Sequence, residues 1–233
     1  MICKESGIKI IVPGGEKNDG IKIDKSYEFL QSTLCQCIIG PPGSGKTTLI
    51  YTLLTDERLY YKKFNKIIFL TPSGIPGIEL ILENNYWPCV KISWLLEKME
   101  KISKEGEEKK TTQHLLIVID DLVSDLYKQA SDETMIQLFF NRRHYLPYLH
   151  IHYIIVTQKF NMVPAKIRST FTMLYIFPIS LVEWKTIMNE FRVENHKALE
   201  KKLPLIWGAK KREFLALNII NKNIFISFNK LIF

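Results

Sequence analysis

The chain has 233 residues, is 46% hydrophobic and carries a formal net charge of +8, which excludes a disordered polar chain and leaves room for one substantial core. No apolar run reaches the length of a bilayer span, and residues 1–30 lack the basic, apolar, small-residue succession of a secretory leader, so an intracellular protein is expected. The positive balance favours a polyanionic partner, nucleic acid first among them, while Cys3, Cys35, Cys37 and Cys89 lack the second close pair of a zinc site and fit reduced thiols.

In chain order, residues 7–12 read as a short strand ended by Pro13-Gly14-Gly15, with Ile21-Lys22-Ile23 as a hairpin return. Residues 34–39 form an apolar strand in which Cys35 and Cys37 share a face. It runs into Gly40-Pro41-Pro42-Gly43-Ser44-Gly45-Lys46-Thr47, which matches G-x-x-x-x-G-K-[ST], the phosphate-binding loop of nucleoside triphosphatases. A triphosphate is best surrounded by closely packed backbone N–H groups, and glycines at 40, 43 and 45 let the chain turn without side-chain obstruction. Lys46 would reach the β- and γ-phosphates and the Thr47 hydroxyl would sit on Mg²⁺; Thr48, closing the nucleotide-binding set Gly40–Thr48, faces into the helix that residues 47–54 begin.

After a charged, tyrosine-bearing connection at residues 56–63, Lys66–Thr71 is a nearly continuous apolar run, expected in a parallel sheet buried on both faces. Residues 78–85 look helical, Val90–Ile92 like a brief strand, and residues 93–103 like a helix. The mixed-charge segment Ser103–Thr112 reads as a solvated loop. Leu115–Ile119 followed by Asp120-Asp121 is a Walker B pattern: a central strand whose carboxylates emerge at the edge where open α/β sheets bind ligands. Asp120 is the Mg²⁺ partner, and Asp121 either orients and deprotonates the attacking water or caps a turn.

Residues 132–146 read as a helix that starts acidic and ends near Pro147, with Arg142 and Arg143 in its last turn. In a chain with six arginines among many lysines, this pair is informative. It either steadies the helix terminus or supplies an arginine finger to a neighbouring subunit's γ-phosphate, Arg143 ahead of Arg142. His144 and His150 read as surface or packing residues. Ile151–Thr157 is another core strand, ending at Gln158, which either holds the lytic water or senses the γ-phosphate, or is a simple turn residue. A basic loop and short helix follow at residues 159–168, then a strand at 171–177, helices at 180–192 and 195–202, and a hairpin over residues 212–220 and 223–228.

The phosphate loop, the Asp-Asp strand, the Arg-Arg-His helix end and the Thr-Gln strand together resemble the FtsK–HerA superfamily of DNA-translocating ATPases. Within it, residues 30–180 are most similar to the poxvirus-type genome-packaging ATPases of large DNA viruses and virophages. The resemblance implies an α/β fold with a RecA-like P-loop core: one domain over residues 1–233, made of a flap (1–30), the ATPase core (31–180) and a C-terminal helix and hairpin (181–233). It further implies ATP and Mg²⁺ as cofactors and a hexameric or pentameric ring acting on double-stranded DNA at a capsid vertex, in the host cytoplasm or viral factory. Lys46 and Thr47 would contact nucleotide and Mg²⁺, Asp120 and Asp121 would form Walker B, Gln158 would be the sensor, and Arg143 the finger in trans. Many members carry glutamate where this chain has the shorter Asp121. Charge alone suggests Lys159, Lys166 and Arg168 either as DNA contacts or as a solvated face. A nucleoside or nucleotide kinase, and a capsid-associated protein without motor activity, are the competing readings.

Overall fold

The computed structural model describes residues 2–4, 34–71, 86–87, 91–129, 132–194, 196–209 and 213–232. The expected strands at 7–12 and 21–23 and the expected helix at 78–85 lie outside them. Ten described strands form one sheet. They are β1 (Ile2–Lys4), β2 (Cys35–Ile39), β3 (Lys66–Leu70), β4 (Tyr86–Trp87), β5 (Gln113–Asp120), β6 (Leu149–Thr157), β7 (Met173–Ile176), β8 (Leu215–Asn218), β9 (Ile224–Ile226) and β10 (Asn229–Ile232). The order is β1-β10-β9-β8-β7-β2-β6-β5-β3-β4. The six strands from β7 to β4 run parallel, and β8, β9, β10 and β1 extend the sheet antiparallel from β7.

The parallel strands are mostly apolar and buried because helices cover both faces. On one face, Cys37, Ile39, Ile117, Ile119, Tyr153 and Ile155 pack beneath α2 (Ile92–Lys109), α4 (Asp132–Phe140), α6 (Leu181–Glu190), α7 (His196–Glu200) and α8 (Leu203–Ala209). On the other, Ile38, Leu116, Val118, Ile154 and Val156 meet Leu49, Ile50, Leu53 and Leu54 of α1 (Lys46–Thr55) and Leu59 and Tyr60 of the turn after it. Each such side chain contributes about 1.5–3 kcal/mol by burial, which fixes α1, and with it the phosphate loop, against the sheet. Three short helices complete the described elements: α3 (Val123–Gln129), α5 (Ala165–Arg168) and a single 3₁₀ turn at Phe160–Met162.

Three expectations are corrected. Ser103–Thr112 is no loop: α2 continues through it to Lys109, and Gly106 is a packing residue, its ideal Cβ position lying 2.9 Å from the Tyr148 carbonyl oxygen. Ser103 Oγ donates to the Pro147 carbonyl from the same helix face, and the left-handed Lys110 (φ 51°) ends the helix. Lys91 and Ile92 open this helix and belong to no strand. Finally, α4 stops at Phe140, so Arg142 and Arg143 lie in a turn beyond the helix. The Arg142 carbonyl is taken by the backbone N–H of Ile151 (3.0 Å), which draws the chain into β6, while an isolated Leu146–Leu149 bridge closes the bend around Pro147 and a left-handed Tyr148.

Candidate nucleotide site

The C-terminal ends of β2, β5 and β6 meet at one rim of the sheet because their registers are locked: Ile39 pairs with Thr157, and Asp120 with Val156. Leaving β2, the chain is held by a Gly40 N–H donating to the Thr157 carbonyl (3.2 Å). Gly40 is required by close approach, since a Cβ there would stand 2.6 Å from Cβ of Phe177 and 2.8 Å from Oγ of Ser44. Gly43 and Gly45 have φ of 73° and 107°, the left-handed turns that let the loop double back and start α1. Pro41, Pro42 and Gly43 are exposed, Ser44, Gly45 and Lys46 half-buried, Thr47 exposed and Thr48 half-buried. Lys46 Nζ arches over the loop, donating to the carbonyls of Gly40 (2.7 Å) and Pro41 (3.0 Å).

Two carboxylates converge on this lysine. Burial lowers the Lys46 ammonium from its ordinary value, while Asp121 and Asp120 act to hold it up. Burial raises Asp120, the Asp121 charge adds to the rise, and Lys46 and the Thr71 hydroxyl oppose it. Thr71, fully buried at the end of β3, donates to Asp120 Oδ2 at 3.4 Å. In the sequence it reads only as a strand end; the signal was a hydroxyl one residue past Leu70, which the β3–β5 register sets level with Asp120. Asp121 is in the left-handed region (φ 54°), its N–H donating to the Val156 carbonyl (3.0 Å), and its Oδ2 accepts from Gln158 Nε2 at 3.0 Å. Its Oδ1 and the Ser44 hydroxyl are buried and have no hydrogen-bond partner among the described residues.

These residues suit a magnesium nucleoside triphosphate. Thr47 and Asp120 are the oxygen donors a hard cation takes, the space beside Gly43 is open, with nothing within 4 Å of its Cβ position, and the orphaned Ser44 hydroxyl and Asp121 oxygen are polar atoms lacking a partner.

Arg142 and Arg143 sit at the opposite rim, before β6 begins. Arg142 turns inward: Nη1 donates to the Phe139 carbonyl at the end of α4 (2.8 Å), and Nε is buried without an acceptor among the described residues. Arg143 is exposed and lines a cavity of about 360 Å³ with Thr112, His144, Tyr148 and His150. Behind it is a histidine chain that the sequence reading missed. The Leu34 N–H donates to His152 Nδ1 (3.1 Å), so His152 carries its proton on Nε2 and presents it to His114 Nδ1 at 3.1 Å. Burial, followed by the neighbouring His114, His150, Arg142 and Arg143, depresses His152 to about 3, and burial also lowers His150. Among the residues singled out on charge, Arg168 pairs with Glu190 (2.9 Å) and lies over the Phe160 ring, whereas Lys159 and Lys166 are exposed.

A parallel sheet in which the Gln158 strand is interposed between the phosphate-loop strand and the Asp120 strand, carrying lysine, carboxylates and amide on one rim, is the core of a P-loop ATPase. Residues 25–232 match the model of the family described as Poxvirus A32 protein, and the chain belongs to that family of viral packaging ATPases. Comparison by sequence with curated proteins returns no match. Among solved structures, the chain is similar to the genome packaging NTPase B204 from Sulfolobus turreted icosahedral virus 2 in complex with ATPγS, at 17% identity and a TM-score of 0.56 over 85% of this chain and 98% of that one. It is likewise similar to B204, the DNA-packaging ATPase from Sulfolobus turreted icosahedral virus (16%, TM-score 0.56, 82% and 95%). The monomer form of the pCW3 conjugation coupling protein TcpA with ATPγS matches at 16% and a TM-score of 0.50 over 84% and 60%. At these identities the likeness establishes the fold.

Proposed function

We propose that the protein is the ATP-driven motor that moves double-stranded DNA into a preformed capsid, working as a hexameric or pentameric ring. The observation that carries this reading is the position of the arginines relative to the nucleotide rim. β6 has nine residues between Arg143 and Gln158, a span of roughly 30 Å at the usual strand rise, so neither arginine reaches the phosphates of its own chain. If Arg142 or Arg143 joins Lys46 at a γ-phosphate, it does so at that of the next subunit, through head-to-tail contacts that close into a ring. Membership in the Poxvirus A32 protein family, and the net charge of +8, support DNA as the cargo.

In this reading the backbone N–H groups of Gly43–Thr47 and the Lys46 ammonium hold the phosphates, and Thr47 and Asp120 would hold Mg²⁺, which would supply neutralisation of phosphate charge. Asp121 orients a water in line with the γ-phosphorus and takes its proton as the bond to the β–γ bridging oxygen breaks. The Gln158 amide fixes that water, and Arg143 of the adjacent subunit balances the charge that spreads over the γ-oxygens. Release of the finger after hydrolysis alters the subunit contact and shifts the loops that grip the DNA backbone. ATP turnover, measured with and without duplex DNA on material whose subunit number is determined by mass photometry, tests the proposal. Turnover by rings, raised by duplex DNA and lost in Lys46→Ala, is expected. Turnover by a monomer that ignores DNA and needs a nucleoside acceptor would overturn it in favour of a kinase.

A further inference from the structure

We propose that Glu183 is a positioning residue for ATP hydrolysis: through the Phe160 backbone N–H, its carboxylate fixes the turn that directs Gln158 at the nucleotide rim. This deepens the reading above and rests on it. Upstream of Gln158 the chain is secured by the sheet, since Ile39 pairs with Thr157 and the Thr157 carbonyl accepts the Gly40 N–H (3.2 Å). Downstream it leaves the sheet at once. The Thr157 hydroxyl donates to the Lys159 carbonyl (3.0 Å), closing a tight ring around Gln158, and the single 3₁₀ turn Phe160–Met162 follows directly. Where that turn is anchored therefore decides where Gln158 points.

The anchor comes from α6. A helical turn begins with N–H groups that its own carbonyls cannot take, and Lys159, which precedes this one, supplies no side-chain cap. Glu183 Oε1 accepts the Phe160 N–H instead, at 2.6 Å, in a short charge-assisted bond. The local sequence gives this glutamate a different duty. Ser180-Leu181-Val182-Glu183 has the form of a capping box, and Ser180 Oγ does accept the Glu183 N–H (3.2 Å). In that motif the glutamate carboxylate returns to the start of its own helix, whereas here Oε1 goes to a turn 23 positions earlier in the chain. Phe160 is fully buried, so water cannot stand in for the carboxylate. Arg168, over the Phe160 ring (4.7 Å) and paired with Glu190, and the Phe191 ring (5.9 Å) hold the Phe160 side chain without setting the direction of its N–H. A group that must hold a water in line tolerates little displacement, a shift of about 1 Å costing about a hundredfold in rate.

The test is steady-state ATP turnover with duplex DNA by the full chain, Glu183→Asp, Glu183→Gln and Ser180→Ala, with Tm measured alongside. Aspartate keeps the charge and suits the first turn of a helix but stops one methylene short of Phe160; glutamine keeps the length and an oxygen that accepts the N–H. Glu183→Asp should lower kcat about ten- to a hundredfold with KM for ATP within about threefold, and Glu183→Gln should stay within about threefold of the parent in both. Ser180→Ala removes the cap of α6 without touching Phe160, and should lower Tm while leaving kcat unchanged. Hydrogen exchange at the Phe160 amide, which needs no turnover, should quicken in Glu183→Asp and not in Glu183→Gln. A kcat within about twofold of the parent in Glu183→Asp would overturn the proposal. So would an equal loss in Glu183→Gln, which would make charge the cause, or in Ser180→Ala, which would make helix stability the cause. Failure of the parent chain to hydrolyse ATP, with the exchange pattern as expected, would instead sink the nucleotide-site reading.

Discussion

Replacing Gly106 by alanine separates local propensity from packing, because the two pull in opposite directions. Gly106 lies inside α2, where alanine is favoured over glycine by about 0.5–1 kcal/mol. The new Cβ would stand 2.9 Å from the Tyr148 carbonyl oxygen, 3.0 Å from the Thr111 carbonyl oxygen and 3.0 Å from the Tyr148 Cβ. Backbone atoms cannot step aside as a flexible side chain can, and overpacking of this kind costs about 1–3 kcal/mol. The net is a loss of about 1–2 kcal/mol, or roughly 3–6 °C in Tm for a chain of this size. Gly208, exposed in α8 with nothing within 4 Å of its Cβ position, is the control: Gly208→Ala meets only the propensity term and gains about 0.5 kcal/mol. Thermal and urea unfolding of both variants reads the two signs. A Gly106→Ala protein as stable as the parent would refute the packing of α2 on the Tyr148 turn, and with it the support given to the bend that carries Arg143.

The adjacent arginines should part company. Arg143→Ala should abolish turnover while leaving ATPγS binding intact, and mixing it with Lys46→Ala chains should restore activity, each supplying what the other lacks; failure of mixing to restore it would refute action in trans. Arg142→Ala should instead cost about 1–2 kcal/mol in urea unfolding, through the lost bond to the Phe139 carbonyl. The third prediction concerns acid. His152 is depressed to about 3 in the fold, so between its ordinary value of 6.5 and about 3 the unfolded chain binds a proton that the folded chain refuses. Stability is thus fully present above 6.5 and falls as pH drops, by about 2 kcal/mol at pH 5. His152→Asn, whose side-chain oxygen can take over the Leu34 N–H, should flatten that slope, leaving the smaller share owed to His150; an unchanged slope between pH 6.5 and 4.5 would refute the assignment.

The central strands were legible because apolar runs such as Leu115–Ile119, and Ile151–Val156 with His152 as its one polar member, are long enough to be strands and too uniform to be exposed. The polar residues that end them follow from the same reading, since parallel strands deliver Asp120, Asp121 and Gln158 to a common rim. What could not be read is adjacency. That β6 is the neighbour of both β2 and β5 is a property of the sheet order, and the Gln158–Asp121 contact depends on it. The histidine chain was hidden for the same reason: His114 lies beside His150 only through the β5–β6 register, and His152 is two residues further along. The helix boundaries failed where a local signal had a tertiary cause. Gly106 among charges imitates a loop, and the run up to Pro147 imitates a helix because nothing local announces that the Arg142 carbonyl is bound to Ile151.

β6 also acts as a ruler. Hydrogen-bonded to β5 from Leu149 to Val156 and to β2 from Tyr153 to Thr157, it cannot slide past either neighbour. One residue inserted at its middle would turn every later side chain to the opposite face, expelling Ile155 from one layer of the core and Val156 from the other. The distance from the arginine turn to the glutamine is consequently an inherited length that drift cannot adjust by small steps. In the ring proposed above, a change of diameter would have to be found in the connecting loops and helices, with this strand left at its present measure.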